Sequence, residues 1–311
     1  MLTSENLQSL GGLKEKIEVL EQLFAEQSKS ELANLLLEAY QLDKQFDTAK
    51  KFYLSLNEEM KADLDQTLDF KLGIQTFSQT SDTEYRNLKA LLEQKYEQKL
   101  FSSLERKYYA IAFALADQRY DAVKAGIQEL YGTKYQNFAR GIQSAFDQYA
   151  NLKDVPAYYQ DALLAYQLMN EGFLALSKKM ALSLVNQHPN YILPYQILAN
   201  VDFSMGKRSS AARFFSQLLE LDYQEKNLYL YHLGVCYYRL GKYSDAVLYL
   251  AQITDPSILL DSDRYLILSY LALGEEERVF AGWQRLLGYP SIKKSDFYSF
   301  FEEALRKSYR L

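Results

Sequence analysis

His188, His232 and Cys236 have the widest chemical repertoire of any side chains in this chain, and they make up its full set of histidine and cysteine. Imidazole and thiolate can ligate zinc or form a base and nucleophile pair, but either role needs partners at short, defined spacings. His188 stands before Pro189 in a turn-forming stretch and His232 lies in an apolar run that reads as a helix, so neither has such a partner. Both read as structural or surface groups. Cys236, in a stretch that reads as a buried helix, fills space. The acidic runs Glu58-Glu59 and Glu275-Glu276-Glu277 begin helical stretches, where negative charge complements the helix dipole. Apart from Gly11-Gly12 the glycines stand singly, and none follows a strand in the manner of a phosphate-binding loop. The expectation is a non-catalytic protein with no metal and no cofactor.

Binding chemistry remains, and bulk properties narrow it. The 311 residues are 48% hydrophobic and 24% charged, with net charge -5. That mild acidity supplies no electrostatic footprint for nucleic acid or an anionic membrane. A single cysteine rules out a disulfide framework and suits a reducing compartment. Met1 to Leu20 holds Glu5, Lys14, Glu15, Lys16 and Glu18 and no uninterrupted apolar run, so neither a signal peptide nor an anchor is expected there. No stretch reaches the ~18 consecutive apolar residues of a membrane span. A cytoplasmic location without membrane insertion follows as an expectation.

The elements that would position a binding surface announce themselves by a period. Gly172, Gly206, Gly241 and Gly274 are separated by 34, 35 and 33 residues, each followed by an amphipathic stretch of similar length. The clearest unit contains Leu230, Leu233, Gly234, Tyr237, Gly241, Tyr243, Ala246, Leu250 and Ile253. Gly234 and Ala246 are small where two helices approach closely, Tyr237 and Leu250 fill the volume beside them, and Gly241 sits where the chain reverses. Preceding units align through Tyr195, Leu198, Ala199, Gly206, Ala211, Phe215 and Leu218, and through Leu164, Ala165, Leu168, Gly172, Ser177, Ala181, Leu184 and Pro189. A following unit keeps Leu266, Tyr270, Gly274, Trp283 and Leu286 but has Ile267 and Val279 at the small places, which predicts looser helix packing; Trp283 reads as core. Pro189, Pro256 and Pro290 follow the second helix of their units.

This pattern closely resembles the tetratricopeptide repeat, whose units run Trp-x2-Leu-Gly-x2-Tyr, then Ala-x3-Phe and finally Pro, here with Leu230 at the Trp place and Leu250 at the Phe place. The resemblance implies an all-α, right-handed α-α superhelix with terminal capping helices. Four units are expected at about 158–189, 192–225, 227–256 and 260–290, within a region spanning 157–311 that ends in a capping helix over 295–309. In that helix Ser295 is the expected N-cap, and Phe297, Phe300, Phe301, Ala304 and Leu305 form one apolar face. Residues 1–150 carry the pattern in degenerate form behind an N-terminal cap at Leu13 to Phe24. Ala33, Leu36, Leu37, Tyr40, Phe46, Ala49, Tyr53 and Leu56 make one unit, with Lys44 replacing the turn glycine, and Ala110, Ile111, Ala114, Tyr120, Val123, Ile127 and Leu130 make another. Between them Leu64 to Phe77 and Tyr85 to Leu100 read as two helices, and a helix from Tyr135 to Tyr149 precedes a soft boundary at residues 151–156.

Proteins of the resembling family hold ligands in a concave groove lined by the first helix, helix A, of each unit. Carried over, that groove presents Tyr159, Tyr166, Met169, Asn170, Leu193, Gln196, Asn200, Phe203, Tyr231, Val235, Tyr238, Arg239, Arg264 and Leu268. Tyrosine and arginine are enriched where truncation costs ~2 kcal/mol or more, and Gln196 and Asn200 can pair with a peptide backbone of any sequence. The expected partner is therefore another protein's peptide or helix, with Arg239 and Arg264 favouring an acidic one. A two-carboxylate clamp, the family's device for a C-terminal carboxylate, is not expected: its places hold Gln196, Asn200, His232, Asp261 and Tyr265. The alternative function is a structural subunit held in a larger assembly by convex faces or array ends.

Overall fold

A computed structural model describes residues 13–309, apart from 44, 79–80, 153–154, 223 and 290. Lys44, Pro290 and Gly11-Gly12 thus lie outside the described residues. The fold is all-α, with 18 α-helices and no strand among the described residues. Contacts group the chain into two compact units, Met1–Gly206 and Lys207–Leu311.

The first unit contains α1 (Leu13–Gln27), α2 (Ser30–Leu42), α3 (Phe46–Ser55), α4 (Glu58–Asp63), α5 (Leu68–Thr76), α6 (Asp82–Glu97), α7 (Ser103–Ala116), α8 (Tyr120–Ile127), α9 (Gln136–Ala150), α10 (Ala157–Asn170), α11 (Leu174–Gln187) and α12 (Ile192–Ser204). Most sequence neighbours pack together, as a helical repeat requires. The stack also folds on itself, because α11 packs against α5 and α7 as well as α10 and α12. Aromatic side chains fill that junction: Tyr108 meets Phe138 and Phe173 with ring centroids 5.1 Å from each. Across residues 151–156, α9 packs on α10. The helix expected over Leu64 to Phe77 is shorter: α5 begins at Leu68, after α4 has ended at Asp63. Asp65 Oδ1 accepts from the Thr67 backbone N at 2.8 Å and from its hydroxyl at 2.6 Å, a local turn that competes with helix.

The second unit contains α13 (Arg208–Leu221), α14 (Lys226–Arg239), α15 (Tyr243–Leu250), α16 (Pro256–Leu273), α17 (Glu276–Leu287) and α18 (Asp296–Tyr309). Pro256 starts a helix here: it occupies the first turn of α16, capped by Asp255, which accepts from Ser257 N. A Cβ on Gly234 would lie 2.3 Å from Leu250 Cγ, so α14 and α15 touch as the repeat pattern demands. The looser packing expected around Ile267 and Val279 is not found. Both are fully buried, and Gly282 of α17 takes the small role instead, since its Cβ would meet Ile267 Cγ1 at 2.5 Å. Trp283 packs in the core, 4.9 Å from Phe301 of α18. Phe300 departs from the expected apolar face at 58% exposure, and the Ser295 hydroxyl donates to the Ile292 carbonyl at 2.6 Å.

Candidate functional site

Repeat geometry sets the helix A members of adjacent pairs side by side: α14 packs against α16, and within the first unit α10 packs against α12. On α14, Tyr231 and Tyr238 are two turns apart and share a face. Tyr265 of α16 lies edge-on to both, with ring centroids 6.2 Å from Tyr231 and 5.4 Å from Tyr238, and Tyr243 at the start of α15 flanks Tyr238 at 5.6 Å. All four residues are half-buried, so the rings form a platform that keeps part of its area accessible. Burial, and then the neighbouring Tyr265, push the Tyr231 hydroxyl up to about 12, and burial raises Tyr238. Both therefore stay protonated at neutral pH and can donate as well as accept.

Arg239 is exposed at the end of α14. Arg264 of α16 is partly committed: it pairs with Asp261 at 3.1 Å, its guanidinium lies 5.5 Å over the Phe297 ring, and its Nε is buried with no hydrogen-bond partner among the described residues. An acidic ligand would meet Arg239 more freely than Arg264. His232 faces the interior of this unit, stacked on Phe215 at 4.7 Å, and burial lowers its pKa to about 4. A neutral imidazole thus stands where a carboxylate clamp needs its second asparagine, and Asp261 and Tyr265 stand where it needs cations. Val235, expected in the groove, is instead core at 2% exposure, because its position on α14 turns it towards the neighbouring helices. Burial raises the Cys236 thiol to about 11, which leaves it unreactive as a nucleophile.

The remaining expected residues belong to the first unit. Tyr159 of α10 lies 6.3 Å from the ring of Tyr191, beside a tighter group in which Tyr158 meets His188 at 3.9 Å and Tyr191 at 5.0 Å. Tyr166, two turns further on, is 41% exposed. Gln196, Asn200 and Phe203 are half-buried on α12. Tyr231 and Tyr238 are thus brought together around a third tyrosine, while Tyr159 joins Tyr191 instead of a groove partner. Sequence reasoning missed Tyr265 and Tyr243 as members of the platform. It also missed Asp202, fully buried on α12, which accepts from Lys178 of α11. A lone charge in the otherwise uncharged stretch from Ile192 to Phe203 is the signal that points to such a pair.

No group of three His, Cys, Asp or Glu side chains able to hold a metal occurs among the described residues. No helix among them is long and apolar enough to cross a membrane. No protein-family model matches the chain, and no curated protein matches it.

Proposed function

We propose that the chain is a non-catalytic scaffold of the tetratricopeptide type, which holds a peptide or helix of another protein against its helix A faces. The observation that carries this reading is the platform of Tyr231, Tyr238 and Tyr265, built from two successive A helices with Arg239 exposed at its edge. Such rings offer large contact area at small entropic cost, and guanidinium adds charge and planar hydrogen bonding. On the family resemblance Tyr159, Tyr166, Gln196, Asn200 and Phe203 form a recognition surface of the first unit by itself. A net charge of -5 disfavours a nucleic-acid partner, and the single cysteine suits the cytoplasm.

Affinity capture from the source lysate tests this with Arg239→Glu and Tyr238→Ala beside the unmodified protein. Capture of a specific partner falls at least tenfold in both variants, with the melting temperature of Arg239→Glu unchanged. Equal capture by Arg239→Glu and Tyr238→Ala overturns the assignment. A second reading, a structural subunit held by other faces or by the array ends, draws on large apolar side chains left in solvent, Leu42 at 73% and Leu54 at 62% exposure. A complex of fixed stoichiometry that ignores both variants favours it.

A further inference from the structure

The helix B layer, formed by the second helices of the repeats, has a gap in the second unit. The B helices α11 and α13 are each 14 residues long, whereas α15 has 8. Six residues of helix correspond to about 9 Å. Where that length is missing, a cavity of about 550 Å3 opens between the end of α15, the side of α16 and the face of α17. This lies within the range of about 300–1,000 Å3 typical of ligand pockets. Its floor is apolar, with Leu250, Ile253 and Leu266 all buried, and Ala281 of α17 lies exposed at its side. The lining faces of α16 and α17 are distinct from the Tyr265 platform.

Two arginines of α17, seven residues and about 10 Å apart, stand at the mouth. Arg285 is held by a carboxylate built into the interior: Asp263, 3% exposed, accepts from its Nε at 2.8 Å and its Nη2 at 2.6 Å. That fork leaves Nη1 for another acceptor. Arg278 gives Nη1 to Glu275 at 2.8 Å and stacks over Tyr270 at 5.4 Å, with 62% of its side chain exposed. Both guanidiniums thus keep unused N–H donors around an apolar recess.

The geometry points to a second docking site here, whose occupant is a short amphipathic acidic helix of a partner protein: apolar side chains enter the cavity between α15, α16 and α17, and carboxylates two turns apart meet Arg278 and Arg285. The partner segment replaces the missing turns of α15. Leucine or phenylalanine suits the floor, and glutamate or aspartate seven residues apart on the partner matches the arginine spacing.

The probe is a fluorescein-labelled, side-chain-stapled peptide of 12 residues, with two leucines between glutamates seven apart, titrated with the full-length protein by anisotropy. Binding is expected to weaken at least tenfold with Ala281→Phe, which fills the recess from an exposed position, and at least tenfold with Arg278→Glu. Replacing the glutamates by lysines weakens it similarly, while Tyr238→Ala leaves it unchanged. Absence of binding to the unmodified protein, or binding insensitive to Ala281→Phe, overturns the assignment. So does self-association in sedimentation that Ala281→Phe abolishes, since a second copy of the chain would then fill the recess. Because Tyr238→Ala is silent here and active in the capture experiment, failure at one site is distinguishable from failure at the other.

Discussion

Residues 82–150 and residues 157–287 both reverse the chain between helices, and they do so with different residues. In the later region the reversals within each helix pair fall on Gly172, Gly206, Gly241 and Gly274, at φ of 88°, 75°, 72° and 72°. In the earlier one the turns after α6 and α7 place Lys99 at 60° and Gln118 at 57° in that conformation, and only the turn before α9 uses a glycine, Gly132 at 74°. The interiors are more alike. Before residue 150, several polar groups enter the packing with partners, as when Lys95 reaches Asp69 at 2.9 Å and the Gln66 carbonyl at 2.6 Å, or when Asp117 accepts from Tyr85 at 2.8 Å and Lys89 at 2.6 Å. After residue 157 matched polar pairs recur, as in Lys178 with Asp202 and Asp263 with Arg285, and the closest approach of paired helices is concentrated at Gly234 and Gly282.

The largest expected effect attacks that concentration directly. Gly234→Val places atoms where Leu250 already stands, with Leu250 only 2% exposed and unable to swing into solvent. Overpacking of this kind costs about 3 kcal/mol. Urea unfolding followed through Trp283, the sole tryptophan and a member of the same compact unit, measures it. Adding Leu250→Ala recovers part of the loss if the clash is the cause; strictly additive losses would mean that close approach is not what holds α14 to α15.

Acid should act next most strongly. Burial depresses the His232 pKa from 6.5 to about 4, so the folded state prefers the neutral ring. As pH falls below 6.5 the unfolded chain takes up a proton that the folded chain refuses, and stability is lost until about pH 4. A shift of that size corresponds to roughly 3 kcal/mol when complete. Stability of the second unit, read at Trp283 between pH 7 and 4, should decline along this curve, and His232→Phe should flatten it. An unchanged slope in His232→Phe would transfer the acid sensitivity to carboxylates.

How far these features can be read from sequence follows the same division. The glycine period and the small positions Gly234 and Ala246 are local patterns, so the helix pairs of residues 157–287 and the face shared by Tyr231 and Tyr238 are legible. Gly282 was not, because its role is defined by Ile267, which took the usual place of the small residue. The pairs Lys178 with Asp202 and Asp263 with Arg285 join residues 24 and 22 apart, and no spacing rule marks either one. Val235 shows the limit of carrying a family position over without its packing: the place matches and the side chain is buried. The late start of α5 hides in Asp65, whose turn-forming bond to Thr67 outweighs a helical apolar pattern. The cavity beside α15 arises from a helix ending early at Leu250, six residues short of its counterparts, and periodicity is a poor guide to helix ends.

The smallest effect tests the turns themselves, in opposite directions. Nothing lies within 4 Å of where a Cβ on Gly241 would point, so backbone conformation alone decides what a side chain costs there. A left-handed conformation costs a non-glycine residue about 1–2 kcal/mol, partly offset because glycine makes the unfolded chain freer by about 0.4–1 kcal/mol. Gly241→Lys should therefore destabilise by roughly 1 kcal/mol, and Lys99→Gly should stabilise by a similar or slightly smaller amount. Lys99 is exposed and its backbone N–H donates to the Tyr96 carbonyl at 2.9 Å, a bond that glycine retains. Hydrogen exchange of the amides in α6 and α14 reads each change locally, without requiring the two units to unfold together. Opposite signs of comparable size would show that the earlier turns differ from the repeats only in residue choice. A neutral Lys99→Gly beside a destabilising Gly241→Lys would instead mean that the α6 turn is held by its surroundings, and that the degeneracy of residues 82–150 reflects a different packing and not a worn copy of the same one.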